Sequence, residues 1–415
     1  MAEPLVRRNA DYRRLLVASG ISNLGDGVSA LAFPWLATLL TRDPVLIAAI
    51  GFAARLPMFL LPLPAGVVTD RGDRRQIMVG CDLLRLALTF GIVVLALRVP
   101  PHPELNPLPY ITALAGLAFL LGSAEVLRDN AAQTALPSVV DAADLESANG
   151  QLWSIEEVMR AFVGPPLAGL LIAWSVALPF GLDAVSFGVS AALVWGVTLR
   201  PRTARDARRP FLHELRQGIA WLWQHPALLR LALMLGVLNG LNAATAAMLV
   251  LYVREVLGLG AIGFGLLMAV GAAGGVTGGF VAPLVVRWLG TSRTLHAALA
   301  LFALGPALIA LAPGAGLVAL GLFVYALGGI GWNIVTVSFR QRTIPDALLG
   351  RVNSVYRFLG LGLMPLGALA GGLIVAAFEP ALGQHIALRL PFAIEAAGAL
   401  TLMVYGLFAL RLPSP

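Results

Sequence analysis

Apolar residues run along this chain in stretches of about twenty or more, separated by short polar segments. A helix needs about 20 apolar residues to cross a hydrocarbon layer of roughly 30 Å. The pattern predicts spans near 15–40, 45–68, 77–97, 109–128, 152–174, 177–199, 228–253, 262–286, 294–312, 317–339, 352–378 and 390–410. The expected fold is therefore all-α, with twelve transmembrane helices. The first span is too long for a cleavable signal and lacks a fitting small-residue cleavage site.

Twelve spans place both termini on one side of the membrane. The loops of that side carry Arg7, Arg8, Arg13, Arg14, Arg71, Arg74, Arg75, Arg128, the six arginines from Arg200 to Arg216, Arg287, Arg293, Arg340, Arg342, Arg351 and Arg411. The opposite loops carry Arg42, Arg98, Arg254 and Arg389. Cytoplasmic loops are enriched in basic residues, so both termini are expected in the cytoplasm of a bacterial inner membrane. The same bias accounts for the net charge of +7 without nucleic acid. The arginines set topology and meet anionic lipid headgroups.

Composition then excludes whole classes of function. The chain is 58% hydrophobic and 12% charged, roughly half the charge of a soluble domain. Every basic residue among the 29 is arginine. Without lysine there is no Walker A phosphate loop and no Schiff base. The single cysteine, Cys81, cannot form an intramolecular disulfide and reads as core packing. The sequence holds no His-Glu-x-x-His, Cys pair, acidic metal cluster or nucleophile elbow, so no enzyme, metal or cofactor is expected.

The basic segment 200–226 divides the chain. Residues 1–199 are expected to form one six-helix bundle and 227–415 another. Within the link, Phe211, Leu215, Ile219 and Leu222 fall near helical spacing and predict a short amphipathic helix on the cytoplasmic face, ended by His225-Pro226. The two parts echo each other. Gln133-Thr-Ala-Leu-Pro137, Ala148-Asn149 and Gly164-Pro165-Pro-Leu-Ala-Gly169 recur as Gln341-Arg-Thr-Ile-Pro345, Val352-Asn353 and Pro365-Leu-Gly-Ala-Leu-Ala-Gly371. Two pseudo-symmetric six-helix bundles with a long cytoplasmic link are the arrangement of the major facilitator fold.

The loop between spans two and three reads Gly66-Val-Val-Thr-Asp70-Arg71-Gly72-Asp73-Arg74-Arg75. It resembles the signature loop of the major facilitator superfamily, Gly-x-x-x-Asp-Arg-x-Gly-Arg-Arg, with Asp73 where the pattern has glycine. The corresponding loop, Gly279 to Arg293, is a degenerate version without an acid. Gly164-Pro165-Pro166-Leu167-Ala168-Gly169 in span five is similar to the Gly-Pro motif of the family's exporters. Leu24-Gly25-Asp26, Asp183-Ala-Val-Ser-Phe187 and Leu136-Pro137 followed by Ala148-Asn149-Gly150 resemble the drug-exporting branch, which includes macrolide and multidrug pumps and the enterobactin exporter. The resemblance covers nearly the whole chain. It implies proton-coupled efflux of a small amphipathic compound by alternating access, from a monomer. A major facilitator importer, or a siderophore or metabolite exporter, stays open as an alternative; a membrane receptor or enzyme is more distant.

An ionisable residue inside a bilayer is costly, so it usually faces the bundle interior and marks function. Proton-coupling candidates are Asp26, Glu125, Glu156, Glu157, Arg160 and Glu395. Asp26 reads as a proton site or as a packing charge, and Glu395 as a second site or a headgroup-level acid. Glu156 and Arg160 stand at i,i+4 and are expected to pair. Asp82 and Arg85, at i,i+3, read as a structural salt bridge beside Arg55. Asp183 is expected to cap or anchor the start of span six. The resemblance implies a conformational latch of Gly66, Asp70, Arg71, Arg74, Arg75, Arg128 and Asp129, in which Asp70 meets the N-terminus of span eleven and Arg74 an acid such as Asp129. Asn239, Asn242, Asn333, Tyr356 and Arg357 are candidates for a substrate cavity, against interhelical hydrogen bonding as the plainer reading.

Overall fold

The computed structural model describes residues 4–98, 106–141, 144–200 and 211–410. All regular structure among them is helical: α1 (Ala10–Leu40), α2 (Pro44–Leu60), α3 (Pro62–Arg71), α4 (Arg74–Arg98), α5 (Leu108–Ala135), α6 (Leu145–Glu157), α7 (Gly164–Trp174), α8 (Leu178–Trp195), α9 (Phe211–Trp223), α10 (Pro226–Leu251), α11 (Ala261–Ala310), α12 (Ala315–Thr343), α13 (Asp346–Leu361), α14 (Met364–Leu382) and α15 (Leu390–Ala409), with short turns between some of them. Nine helical segments among the described residues are long and apolar enough to cross a membrane.

The breaks follow local chemistry. The stretch predicted at 45–68 divides at Leu61, just before Pro62, because proline cannot donate to the preceding turn. The stretch at 352–378 divides before Pro365 for the same reason. The stretches at 262–286 and 294–312 run together as α11, interrupted at Gly290, whose φ of 79° favours glycine. The stretch at 152–174 contains a π-helical segment, Val158–Val163, in which the Gly164 N–H donates to the Met159 carbonyl. Pro165 and Pro166 follow directly and bring no N–H of their own, so a widened turn sits where ordinary pairing would fail.

The described residues of Met1–Arg42, Ala49–Arg205 and Leu259–Ala269 make one compact unit. Those of Asp43–Ala48, Asp206–Gly258 and Val270–Pro415 make a second. The core of the first includes Tyr12, Leu15, Met78, Ala131, Leu136 and Val194. The core of the second includes Leu222, Leu231, Leu299, Trp332, Val352 and Tyr356. Small residues let helices close on one another. A Cβ on Gly164 would lie 2.7 Å from the Gly27 Cα, and one on Gly367 would strike Gly240. Such close backbone approach is how helices associate where lipid supplies no hydrophobic drive between them.

In α9, Leu222 is buried, and a Cβ on Gly218 would lie 2.8 Å from the Arg351 carbonyl, whereas Ile219 and Trp223 are exposed. The side chains of Phe211 and Leu215 lie outside the described residues. Large apolar side chains such as Phe90, Leu97 and Phe408 stand exposed along the helices, an area that only lipid would cover. Trp174, Trp195 and Trp223 are the final residues of α7, α8 and α9, the placement of interfacial tryptophans.

Candidate coupling site

Four helices of the first unit bring polar side chains together in its interior. Helix α1 contributes Ser22, Asp26 and Ser29, spaced so that they share one face. Helix α4 contributes Asp82 and Arg85, α5 contributes Arg128, and α8 contributes Asp183, Ser186 and Ser190, again along one face. Gly25 makes room for this assembly: a Cβ there would strike Asp183 and Ser186.

Two ion pairs organise the site, and both cross between helices. Arg85 donates to the Asp26 carboxylate and, at 3.3 Å, to Ser22 Oγ. Its guanidinium lies 4.0 Å from the centre of the Phe187 ring. Arg128 faces Asp82 at 3.3 Å, and both are shut off from solvent. Ser190 lies between them, donating to Asp82 Oδ2 at 2.6 Å while accepting from Arg128 Nη2 at 3.3 Å. Arg128 also approaches Asp129 at 3.6 Å, on the exposed side of the helix. Asp183 accepts from Ser29 Oγ and, at 3.5 Å, from Ser186 Oγ. A buried charge is tolerated when paired and hydrogen-bonded, as Asp26, Arg85, Asp82 and Arg128 are, whereas the described partners of the Asp183 carboxyl are the two serine hydroxyls.

This arrangement corrects three sequence expectations. Asp82 and Arg85 do not pair with each other; each takes a partner on another helix, because i,i+3 neighbours on one interior face compete with helices packed against that face. Asp183 does not cap a helix start but sits buried one and a half turns into α8. Its signal was present as the polar stripe Asp183, Ser186, Ser190 on an apolar helix. Arg160 pairs with Glu157 at 2.8 Å rather than with Glu156, the π-helical segment beginning at Val158 having moved Arg160 off the ordinary spacing. Glu125 and Glu156 are half-buried.

In the signature loop, α3 ends at Arg71, and Asp73 Oδ1 accepts from the N–H groups of Arg75 at 2.9 Å and Gln76 at 3.3 Å. The residue that departs from the family pattern is thus the N-cap of α4. Arg74 donates to Ser138 Oγ at 3.3 Å, and Arg75 lies 5.7 Å over the Trp195 ring. Arg71 is exposed and Gly66 has open space around it. The Asp70 side chain lies outside the described residues. Nearby, Asp141 pairs with Arg200 at 2.6 Å, and Arg8 with Asp144. The hydrogen bond from Arg200, with its charge, holds the Asp141 carboxyl below the ordinary carboxylate value.

In the Gly-Pro motif, Gly164 packs on Gly27, and a Cβ on Gly169 would lie 2.7 Å from the Ala261 carbonyl. The Pro165 carbonyl stands as close to a Cβ built on Gly265.

The second unit holds less charge. Asn239 donates to the Gly360 carbonyl at 2.7 Å, an interhelical tie. Asn242, Thr245 and Tyr325 are hydrogen-bonded to Glu395, Thr245 Oγ1 at 2.8 Å. Glu395 is 3% exposed and is thus buried inside its helix bundle. Asn333 and Arg357 are exposed, and the buried Tyr356 ring lies 4.1 Å from the Arg340 guanidinium. Among the described residues no group of three or more His, Cys, Asp or Glu could hold a metal ion.

A family model described as transmembrane secretion effector matches residues 3–414. The chain belongs to this family of the major facilitator superfamily. It is a multi-pass membrane protein and a secondary transporter of small molecules by alternating access. The multidrug efflux pump Tap of Mycolicibacterium fortuitum is 27% identical over 400 residues, covering 91% of this chain and 92% of Tap. The enterobactin exporter EntS of Shigella boydii serotype 4 is 27% identical over 423 residues, covering 98% and 92%. Among solved structures, an inward-facing bacterial homologue of the iron transporter ferroportin superposes with a TM-score of 0.76 at 19% identity, covering 98% of this chain and 99% of that one. That likeness is one of fold.

Proposed function

We propose that this transporter exports small amphipathic compounds in exchange for protons. The two bundles of six spans, joined through 200–226 with both termini in the cytoplasm, form its working unit as a monomer. The observation that carries the reading is the Arg85–Asp26 pair inside the first unit. A proton arriving on Asp26 cancels the charge that holds Arg85, so proton binding and helix packing are linked. Glu125, Glu156 and the Glu157–Arg160 pair supply further groups for proton passage. A proton moving inward down ~100 mV contributes about 2.3 kcal/mol from the potential alone. The named functions of Tap and EntS, both exporters, support the outward direction. The signature-loop residues Gly66, Asp70, Arg71, Arg74 and Arg75, with Arg128 and Asp129, act as a latch for one of the alternating states. Asn333 and Arg357, exposed in the second unit, line the substrate path.

The test is ethidium transport into inverted proteoliposomes under an imposed pH gradient. The expected result is accumulation that an uncoupler collapses and that Asp26→Asn abolishes. Accumulation indifferent to the uncoupler overturns proton coupling.

A further inference from the structure

The two halves repeat each other at a place where both carry a buried acid. Helix α8 begins Leu178-Pro-Phe-Gly-Leu-Asp183-Ala, and α15 begins Leu390-Pro-Phe-Ala-Ile-Glu395-Ala. The acids occupy the same position, and they are 2% and 3% exposed. Their partners repeat as well. Asn23, Asp26 and Ser29 on α1 have the spacing of Asn239, Asn242 and Thr245 on α10. In the first unit Asp183 accepts from Ser29 Oγ, and in the second Glu395 accepts from Thr245 Oγ1 at 2.8 Å. One carboxylate–hydroxyl pair, built by the same two helices of the repeat, therefore stands in each unit.

The surroundings differ in charge. Asp183 shares its site with Asp26 and Ser29 of α1, Asp82 and Arg85 of α4, and Ser186 of its own helix. Glu395 faces Asn242 and Thr245 of α10 and Tyr325 of α12, and among the described residues no ion pair reaches it. The register that matches Gln133–Pro137 with Gln341–Pro345 sets the neutral Thr336 opposite Arg128 and Asn333 opposite Glu125. A negative charge at Glu395 would bear the cost of leaving water without a cation to offset it, and a proton removes that cost.

We propose that Asp183 and Glu395 are equivalent protonation sites, one in each half of the chain, so that the transporter carries a second proton site in a bundle that lacks the arginine network of the first. The inference rests on the proton-exchange reading. The step is a simple proton transfer: a proton from water bonds to a carboxylate oxygen, and the Ser29 or Thr245 hydroxyl, which donates to the carboxylate, turns to accept from the new acid O–H.

The experiment is a potentiometric titration of the purified transporter in lipid nanodiscs between pH 5 and 9, alongside infrared difference spectra of the protonated-carboxyl band, with no substrate present. Asp183→Asn and Glu395→Gln are each expected to take up one proton fewer than the parent and to lose one component of the band; the double variant takes up two fewer. Ser29→Ala and Thr245→Val keep the acids and are expected to move one component each in frequency, which serves if a carboxamide variant fails to fold. Unchanged proton uptake and an unchanged band in folded Asp183→Asn or Glu395→Gln overturns the proposal, as does an unmoved band in both hydroxyl variants. Failure of the ethidium assay with the titration intact would instead overturn the exporter reading.

Discussion

Arg128 and Asp82 face each other at 3.3 Å across two helices, with side chains 1% and 0% exposed. Arg128 Nε and Asp82 Oδ1 lie outside hydrogen-bond geometry, so charge and the shared Ser190 hold the pair. Removing one partner leaves the other charge buried and alone, which costs roughly 3–5 kcal/mol. Arg128→Gln is expected to lower the unfolding temperature sharply in a detergent melt. Arg128→Gln combined with Asp82→Asn is expected to recover most of the loss. A double variant no better than the single would show that the pair is not the unit of stability.

Close helix contact explains a second set of outcomes. A Cβ on Gly27 would lie 2.8 Å from the Arg160 Cα, and one on Gly25 would enter the Asp183–Ser186 contact, whereas Gly91 has open space. Overpacking costs typically about 1–3 kcal/mol. Gly27→Val and Gly25→Val are expected to reduce the yield of monodisperse protein, and Gly91→Ala to leave it unchanged, as measured by size-exclusion chromatography.

The signature loop separates structure from function within four residues. Asp73→Ala removes the cap of α4 and is expected to cost ~1 kcal/mol of stability, read from a thermal melt. Asp70→Asn is expected to lower transport with membrane expression intact, since the role proposed for Asp70 is the latch. Wild-type transport by a well-expressed Asp70→Asn protein would remove Asp70 from the mechanism.

Asp141 and Arg200 form an exposed pair, and Arg200 keeps the Asp141 carboxyl below its ordinary value of 3.8. A carboxyl whose value is depressed in the folded state stabilises that state above its unfolded value. The contribution disappears as pH falls through the folded value. Asp141→Asn is therefore expected to melt slightly below the parent at neutral pH and low salt. The difference closes in high salt and in acid, as pH falls from the ordinary carboxylate value through the lowered value of the folded state. A difference that persists at high salt would point to packing.

Much of the site was legible without coordinates. Asp26 and Glu395 stand out in the sequence because an ionisable residue within an apolar span is costly and has few uses. Arg128 and Asp82 are visible as charges, yet their pairing is not, because Asp82 and Arg85, one turn apart on one helix, can pair locally or each reach across to another helix. The sequence alone places Asp183 near a helix start, since its burial depends on α1 and α4 packing over it. Glu156 and Glu157 exchanged roles through a π-helical segment that ordinary helical spacing does not register.

The amino-acid pattern by itself determined what depends on solvent transfer. Apolar runs of span length require lipid, internal helices must satisfy their own backbone groups, and the Gly-Pro and signature motifs carry the family. Tertiary structure decided which charges meet. A guanidinium chooses its carboxylate by distance and access across packed helices, and those are set by where small residues such as Gly25, Gly27 and Gly164 let backbones come together. The buried acids on α8 and α15 are the clearest case: the repeat Leu-Pro-Phe marks both, but only the folded chain sets a hydroxyl from α1 or α10 against each.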